Sequence, residues 1–292
     1  MPDFTLSTVR RLRVRDLDIC LREWGASDAP PLVLLHGIRD NSITFQFLVD
    51  ELEQDWHIFA PDLRGHGQTG RAGILWQQDL LADCSALLSR LFGDRPVPVL
   101  GHSMGGNLAL VLAGLRPAQV SKVVSLDALG PPPARASQTP VSELVLHLDL
   151  AERRGFRPER RYGSVTQMAE RLCAAHPRLS MARALWLARH SHRAEADGSL
   201  TWLHDINIPR SLSFLTAERD WIDIFRRIRC PALYLASADT TRHLAQDGDA
   251  PILRRMAAIA DGRWQRIPET SHNLHYEEPV LIAALLEEFW RE

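Results

Sequence analysis

No apolar stretch in the sequence runs uninterrupted for anything near the ~20 residues that a membrane-spanning helix needs, so no span is expected. Cysteine is scarce: Cys20, Cys84, Cys173 and Cys230 are scattered and show no Cys-x-x-Cys spacing. That leaves neither a disulfide framework nor a zinc ribbon, and predicts reduced, buried thiols. Charge of one sign is also missing. Lys and Arg total 34 against 36 Asp and Glu, a formal net charge of -2, which gives no electrostatic footprint for nucleic acid or an anionic membrane. The cluster Arg10, Arg11, Arg13 and Arg15 is diluted by nearby acids and reads as a solvated face. Met1 to Arg15 contains no apolar h-region of a secretory signal, and a cytoplasmic location is expected. The sequence also lacks internal repeats, metal-ligand clusters, phosphate loops and dinucleotide fingerprints. The expectation is therefore a protein with no metal and no cofactor, whose partner is a small-molecule substrate.

What is present is enough apolar material for a full core: 45% of the 292 residues are hydrophobic and 24% charged. Leu12 and Val14, then Leu17, Ile19 and Leu21, alternate across a turn at Asp16 and predict a β-hairpin. Continuous apolar runs follow at Leu32–Leu35, His57–Ala60, Val97–Leu100, Val123–Leu126 and Ala232–Ala236. Strands buried on both faces look like this, and they belong to parallel sheets covered by helices. Helical spacing separates them, at Phe45, Leu48 and Leu52, at Leu80, Cys84, Leu87, Leu88 and Leu91, from Asn107 to Leu115, and from Pro279 to Trp290. The fold class is α/β, with a mostly parallel central sheet and helices on both faces.

The rhythm breaks after Gly130. Pro131-Pro132-Pro133 and the residues to Pro140 predict a linker. Val141 to Arg227 is helical in pattern, with Ser164 and Ser180 placed as N-caps, before Cys230-Pro231 introduces another strand. The expected division is a core of residues 1–130 and 228–292 and an inserted helical cap of residues 131–227. Leu144, Leu146, Leu148, Met168, Leu172, Met181, Leu185 and Trp186 give that cap an apolar character. Packing between cap helices accounts for most of them.

Chemistry enters at Gly101-His102-Ser103-Met104-Gly105-Gly106, between the strand ending at Leu100 and the helix from Asn107. Gly-x-Ser-x-Gly lets a serine occupy the apex of a sharp strand-to-helix turn, because small residues two before and two after let the chain close. Ser103 then stands at a helix N-terminus, where free N–H groups favour developing negative charge. Three other segments fall in a matching order: Leu35-His36-Gly37-Ile38, Asp62-Leu63-Arg64-Gly65-His66-Gly67, and Ser271-His272 followed by Glu277 and Pro279. Together they resemble the α/β-hydrolase family, in its capped serine branch, over the whole chain.

The resemblance implies an acyl-transfer enzyme with Ser103 as nucleophile, His272 as general base and an acyl-enzyme intermediate. Serine at the elbow argues against an epoxide hydrolase or haloalkane dehalogenase, whose nucleophile is Asp. His275 is the local competitor to His272. His102 is expected to pack, His36 to shape the oxyanion loop and His66 to shape a turn. Cys230 to Asp239 resembles the strand and loop that deliver the family's acid, so Asp239 is the expected third member. Ala236 departs from the glycine usual three residues before that acid. Asp127, after the preceding strand, is the alternative. The resemblance places the oxyanion hole at the backbone N–H groups of Ile38 and Met104. Asp79-x-x-x-Asp83 lies on a helix and reads as a solvated face, and Arg64 and Gly65 as structural. The implied activity is a carboxylesterase acting on a small or medium acyl ester. A carbon–carbon bond hydrolase, a lactonase, a haloperoxidase or perhydrolase, and a receptor without turnover stay open.

Overall fold

In the computed structural model, residues 4–70, 77–130, 159–204, 217–240 and 248–292 are described, with a few further positions between 141 and 152. The proline-rich linker, and Leu146 within the expected cap, lie outside them. Eight strands form one sheet: β1 (Ser7–Val14), β2 (Leu17–Trp24), β3 (Pro31–Leu35), β4 (His57–Pro61), β5 (Val97–His102), β6 (Val120–Leu126), β9 (Ala232–Ser237) and β10 (Gly262–Ile267). Their order is β1-β2-β4-β3-β5-β6-β9-β10. The hairpin β1–β2 and its junction with β4 are antiparallel, and all other pairings are parallel.

Alternation along each strand divides the core in two. Val33 and Leu35 of β3, with Val97 and Val99 of β5, face one side, where Leu80, Cys84 and Leu88 of helix Gln77–Phe92 cover them. Helix Met104–Leu115 packs on that side as well. Leu32 and Leu34 face the other side, against Phe45, Leu48 and the helix Pro279–Arg291. Runs that read as continuously apolar are thus two interleaved faces, each with its own layer of helices. The expected helix around Phe45 is shorter than its spacing suggests: a 3₁₀ turn, Ser42–Phe45, runs into the four residues Gln46–Val49.

The insertion contains helices Val165–Ala175 and Met181–His190, each N-capped as expected, by Ser164 and Ser180 respectively. It also holds a short hairpin, β7 (His192–Ala194) and β8 (Leu200–Trp202). Met168, Ala169, Leu179, Ala184 and Leu187 form a small core of their own, set over Phe47 and Tyr276. Met181, expected in the apolar set, is exposed, as are Leu144 and Leu148. The expected boundary at residue 227 is too late. Helix Glu218–Phe225 buries Trp221, Ile224 and Phe225 in the main core, so by packing it belongs with the sheet. Its apolar face fits a sheet surface as well as a cap, and sequence spacing does not say which.

A second correction concerns Asp83, read as part of a solvated face. It is buried at 2% exposure, its carboxylate 2.7 Å from Arg64 Nε and 2.8 Å from Arg15 Nη1. A carboxylate buried this deeply needs cationic partners, and the turn after β4 supplies one.

The constraint that fixes the sheet's carboxyl end is steric. Ser103 has φ 52°, in the left-handed region, between β5 and the helix that follows. A Cβ on Gly101 would lie 2.1 Å from the Gly105 carbonyl oxygen, and one on Gly105 2.0 Å from that of Leu35. Both obstacles are backbone, which has little freedom to retreat. Gly105→Ala is therefore expected to destabilise the protein by at least the ~1–3 kcal/mol typical of overpacking, lowering the melting temperature by several degrees. Gly163→Ala, whose Cβ would meet only the flexible Gln167 side chain at 3.4 Å, is the control and should melt close to the parent.

Candidate active site

β5 and β6 are neighbours in the sheet, and their carboxyl ends are tied by the Ser103 N–H, which donates to the Leu126 carbonyl at 2.9 Å. The strained turn lifts the Ser103 hydroxyl out of the backbone, toward the loop that follows β10. There His272 Nε2 lies 2.7 Å from Ser103 Oγ. Its Nδ1 lies 2.7 Å from Asp127 Oδ2. An ionised carboxylate only accepts, so Nδ1 carries the proton and Nε2 is left to accept from the serine hydroxyl.

The carboxylate on His272 is that of Asp127, and the expected pairing with Asp239 is corrected on this geometry. Asp127 directly follows β6, one strand from the elbow, and takes φ 52°. That turn sends Oδ2 to His272, while Oδ1 accepts from the Ser237 N–H at 2.7 Å. The end of β9 therefore supports the carboxylate from its neighbour. Asp239 lies beyond it, in the 3₁₀ turn Ala238–Thr240, two strands from the elbow. The signal available in the sequence was the pair of departures at this edge: Ala236 where glycine was expected, and an aspartate immediately after a buried strand.

Three contacts hold the histidine loop. Glu277 accepts from the Ser271 N–H at 2.7 Å and from its hydroxyl, which accounts for the Glu placed behind His272. Thr270 Oγ1 donates to the Ile267 carbonyl at 2.7 Å. His102 Nε2 donates to the carbonyl oxygen of His272 itself at 2.8 Å. His275, the competitor, is wholly buried with no hydrogen-bond partner at either ring nitrogen. Burial pushes its pKa well below the ordinary value. His272 behaves in the opposite sense. Burial disfavours its charged form, but the hydrogen bond and charge of Asp127 outweigh that, and its pKa is raised.

Gly37 is tightly surrounded: a Cβ there would come within 2.8 Å of His102 Nδ1 and 2.9 Å of Asp40 Oδ2, so a side chain would force one of them to move. His36 pins this loop from below, its Nε2 accepting from the Leu63 N–H at 2.9 Å and its Nδ1 donating to the Gly37 carbonyl at 2.7 Å. Burial lowers the His36 pKa, consistent with that neutral tautomer. Ile38 borders the same cavity as Ser103. Met104 is the first residue of its helix, where an N–H has no intrahelical acceptor.

The cavity over Ser103 measures about 980 Å³ and is closed on one side by the insertion, through Leu172, His176, Leu187 and Trp202. Two contacts lock insertion to core here. Asn273 Nδ2 donates to His176 Nδ1 at 2.9 Å, and Arg183 donates to the carbonyls of Tyr276 and Glu277 at 3.0 and 2.9 Å. Such an arrangement can deprotonate a serine hydroxyl beside a mostly apolar pocket. Among the described residues, no group of three or more His, Cys, Asp or Glu side chains is placed to hold a metal ion. No helix among them is long and apolar enough to cross a membrane.

Comparison with known proteins agrees with this architecture. The chain is 27% identical over 289 residues to a serine hydrolase-like protein of Danio rerio, covering 91% of this chain and 83% of that one. It is 36% identical over 111 residues to the lipase LipV of Mycobacterium tuberculosis, covering 38% of this chain and 42% of that protein, under half its length. Among solved structures, a thioesterase domain from the curacin biosynthetic pathway superposes with a TM-score of 0.83 at 22% identity, over 97% of this chain and 99% of that one. At that identity the likeness establishes the fold. The profile of the Alpha/beta hydrolase family matches residues 32–285, and the chain belongs to that family.

Proposed function

We propose that the protein is a serine hydrolase that cleaves an acyl ester through Ser103, His272 and Asp127. The observation that carries this reading is the continuous hydrogen-bonded chain Ser103 Oγ–His272–Asp127, with both contacts at 2.7 Å. A serine hydrolase-like protein and a lipase among its relatives support it in kind.

In this reading His272 takes the hydroxyl proton as Ser103 Oγ attacks the substrate carbonyl carbon. Asp127 holds the productive tautomer and stabilises the imidazolium that forms. Charge moves onto the carbonyl oxygen, which the N–H groups of Ile38 and Met104 receive. Collapse expels the alcohol, protonated by His272, and leaves the acyl group on Ser103. Water then enters by the same path and releases the acid. The carboxylesterase assignment is the narrower form of this proposal. A cavity of about 980 Å³ lies near the upper end of common ligand sites, so medium-sized acyl groups fit the reading better than acetyl.

Ser103→Ala should lose activity by a factor on the order of 10⁶ and should no longer be labelled by a fluorophosphonate probe. Ester turnover close to the parent rate would end the proposal. The acid is tested by pairing two variants. Asp127→Asn should lower kcat about 10⁴-fold, whereas Asp239→Asn should keep most of it; the reverse order in steady-state kinetics would return the role to Asp239. Because the base must be neutral and its pKa is raised, kcat/KM should climb with pH along a limb above the ordinary imidazole value of about 6.5. In Asp127→Asn that limb should move to lower pH, and a profile identical to the parent's would show that Asp127 does not act on His272.

A further inference from the structure

The polar lining of the cavity is unequal in sign. Among the described residues that line it, Arg39, Arg160 and Arg171 stand against the single carboxylate of Asp40. Asp40 is turned toward His102, its Oδ2 3.7 Å from the Nδ1. Arg160 and Arg171 come from the insertion and are exposed, at the outer part of the cavity. Arg161, one residue on, turns away and pairs with Asp197 at 2.8 Å. Arg160 instead lies over the face of Tyr162, 5.4 Å from the ring centroid, which restricts its guanidinium without neutralising it. Arg171 is spaced one helical turn from Ala175, which also borders the cavity. Among the described residues no carboxylate pairs with Arg160 or Arg171.

We infer that the outer part of the cavity binds an anionic group of the substrate, with Arg160 and Arg171 as the specificity-determining residues. This rests on the reading of Ser103 as nucleophile and adds the substrate class: an acyl ester that carries a carboxylate or a similar oxyanion at a distance from the scissile bond. The chemistry is that of the guanidinium, whose planar fork of N–H donors matches a carboxylate and keeps its charge at every working pH. The apolar wall of Leu172, Leu187 and Trp202 suits the methylene chain that links such an anion to the ester. A neutral alkanoate of the same length would occupy that wall and leave both arginines without a partner.

Matched esters test this. Mono-p-nitrophenyl glutarate is compared with p-nitrophenyl pentanoate for an anion on the acyl side. The 4-carboxyphenyl ester of pentanoate is compared with the phenyl ester for an anion on the leaving group. The parent protein should favour one anionic ester of these pairs at least tenfold in kcat/KM, and 0.5 M salt should reduce that ratio. Arg160→Gln with Arg171→Gln should bring the ratio toward one, and the corresponding Arg→Lys pair should keep part of it. Both side chains are exposed, and circular dichroism checks that the variants fold. Fluorophosphonate labelling of Ser103 tests the nucleophile separately. Calorimetric binding of monomethyl glutarate, an anion, against neutral methyl pentanoate to Ser103→Ala reads the anion site whether or not any ester turns over. Ratios at or below one in both pairs, ratios that the Gln variants do not change, or equal binding of the two methyl esters would each overturn the inference.

Discussion

Everything at the catalytic end of this protein depends on one strained residue. Ser103 takes φ 52° between β5 and its helix, a conformation that L-residues other than glycine adopt at a cost of order 1–3 kcal/mol. The surrounding backbone leaves it no alternative. Gly101 and Gly105 pass the Gly105 and Leu35 carbonyls at separations that exclude a Cβ, and Gly106 does the same beside Ser125 Oγ, 2.4 Å from where its Cβ would sit. In return the hydroxyl projects beyond the sheet, and the helix that follows begins at the next residue.

Asp127 repeats the device on the next strand. It shares the left-handed backbone and has its own N–H fixed to the Leu235 carbonyl at 2.8 Å. Ser103 and Asp127 are thus anchored to adjacent parallel strands, and their separation is set by sheet geometry. The histidine arrives on a loop, which is softer, and it is held by Glu277, Thr270 and His102 rather than by strand pairing. Rigid supports carry the two ends of the hydrogen-bonded chain and side-chain contacts adjust its middle. The raised pKa of His272 follows from that placement, since the carboxylate is set where it favours imidazolium.

The insertion is built differently. Its helices bury a small cluster of their own, and among the described residues the contacts that tie it to the core include Arg183 to two backbone carbonyls, Asn273 to His176 and the backbone bridge between His66 and His204. Asn273 directly follows His272, so the insertion touches the loop that carries His272 as well as lining the cavity over Ser103. A part held this way can diverge in sequence while the sheet beneath stays fixed. The arginines proposed to choose the substrate lie on that part, and the residues proposed to break the bond lie on turns and a loop at the carboxyl ends of the sheet strands.

The sheet was legible because burial on two faces leaves an apolar run that survives in one dimension, as at Leu32–Leu35 and Val97–Leu100. The elbow was legible because its steric demand is local: glycines at 101 and 105 must flank Ser103, and sequence distance equals spatial distance there. Helix Glu218–Phe225 was misassigned to the insertion because an amphipathic face does not name the surface that covers it. Asp83 was misread because its partner, Arg64, lies on another element. The choice between Asp127 and Asp239 belonged to the tertiary structure for a related reason. Both aspartates follow buried strands, and only the pairing of β5 with β6 decides which carboxylate stands within 2.7 Å of His272.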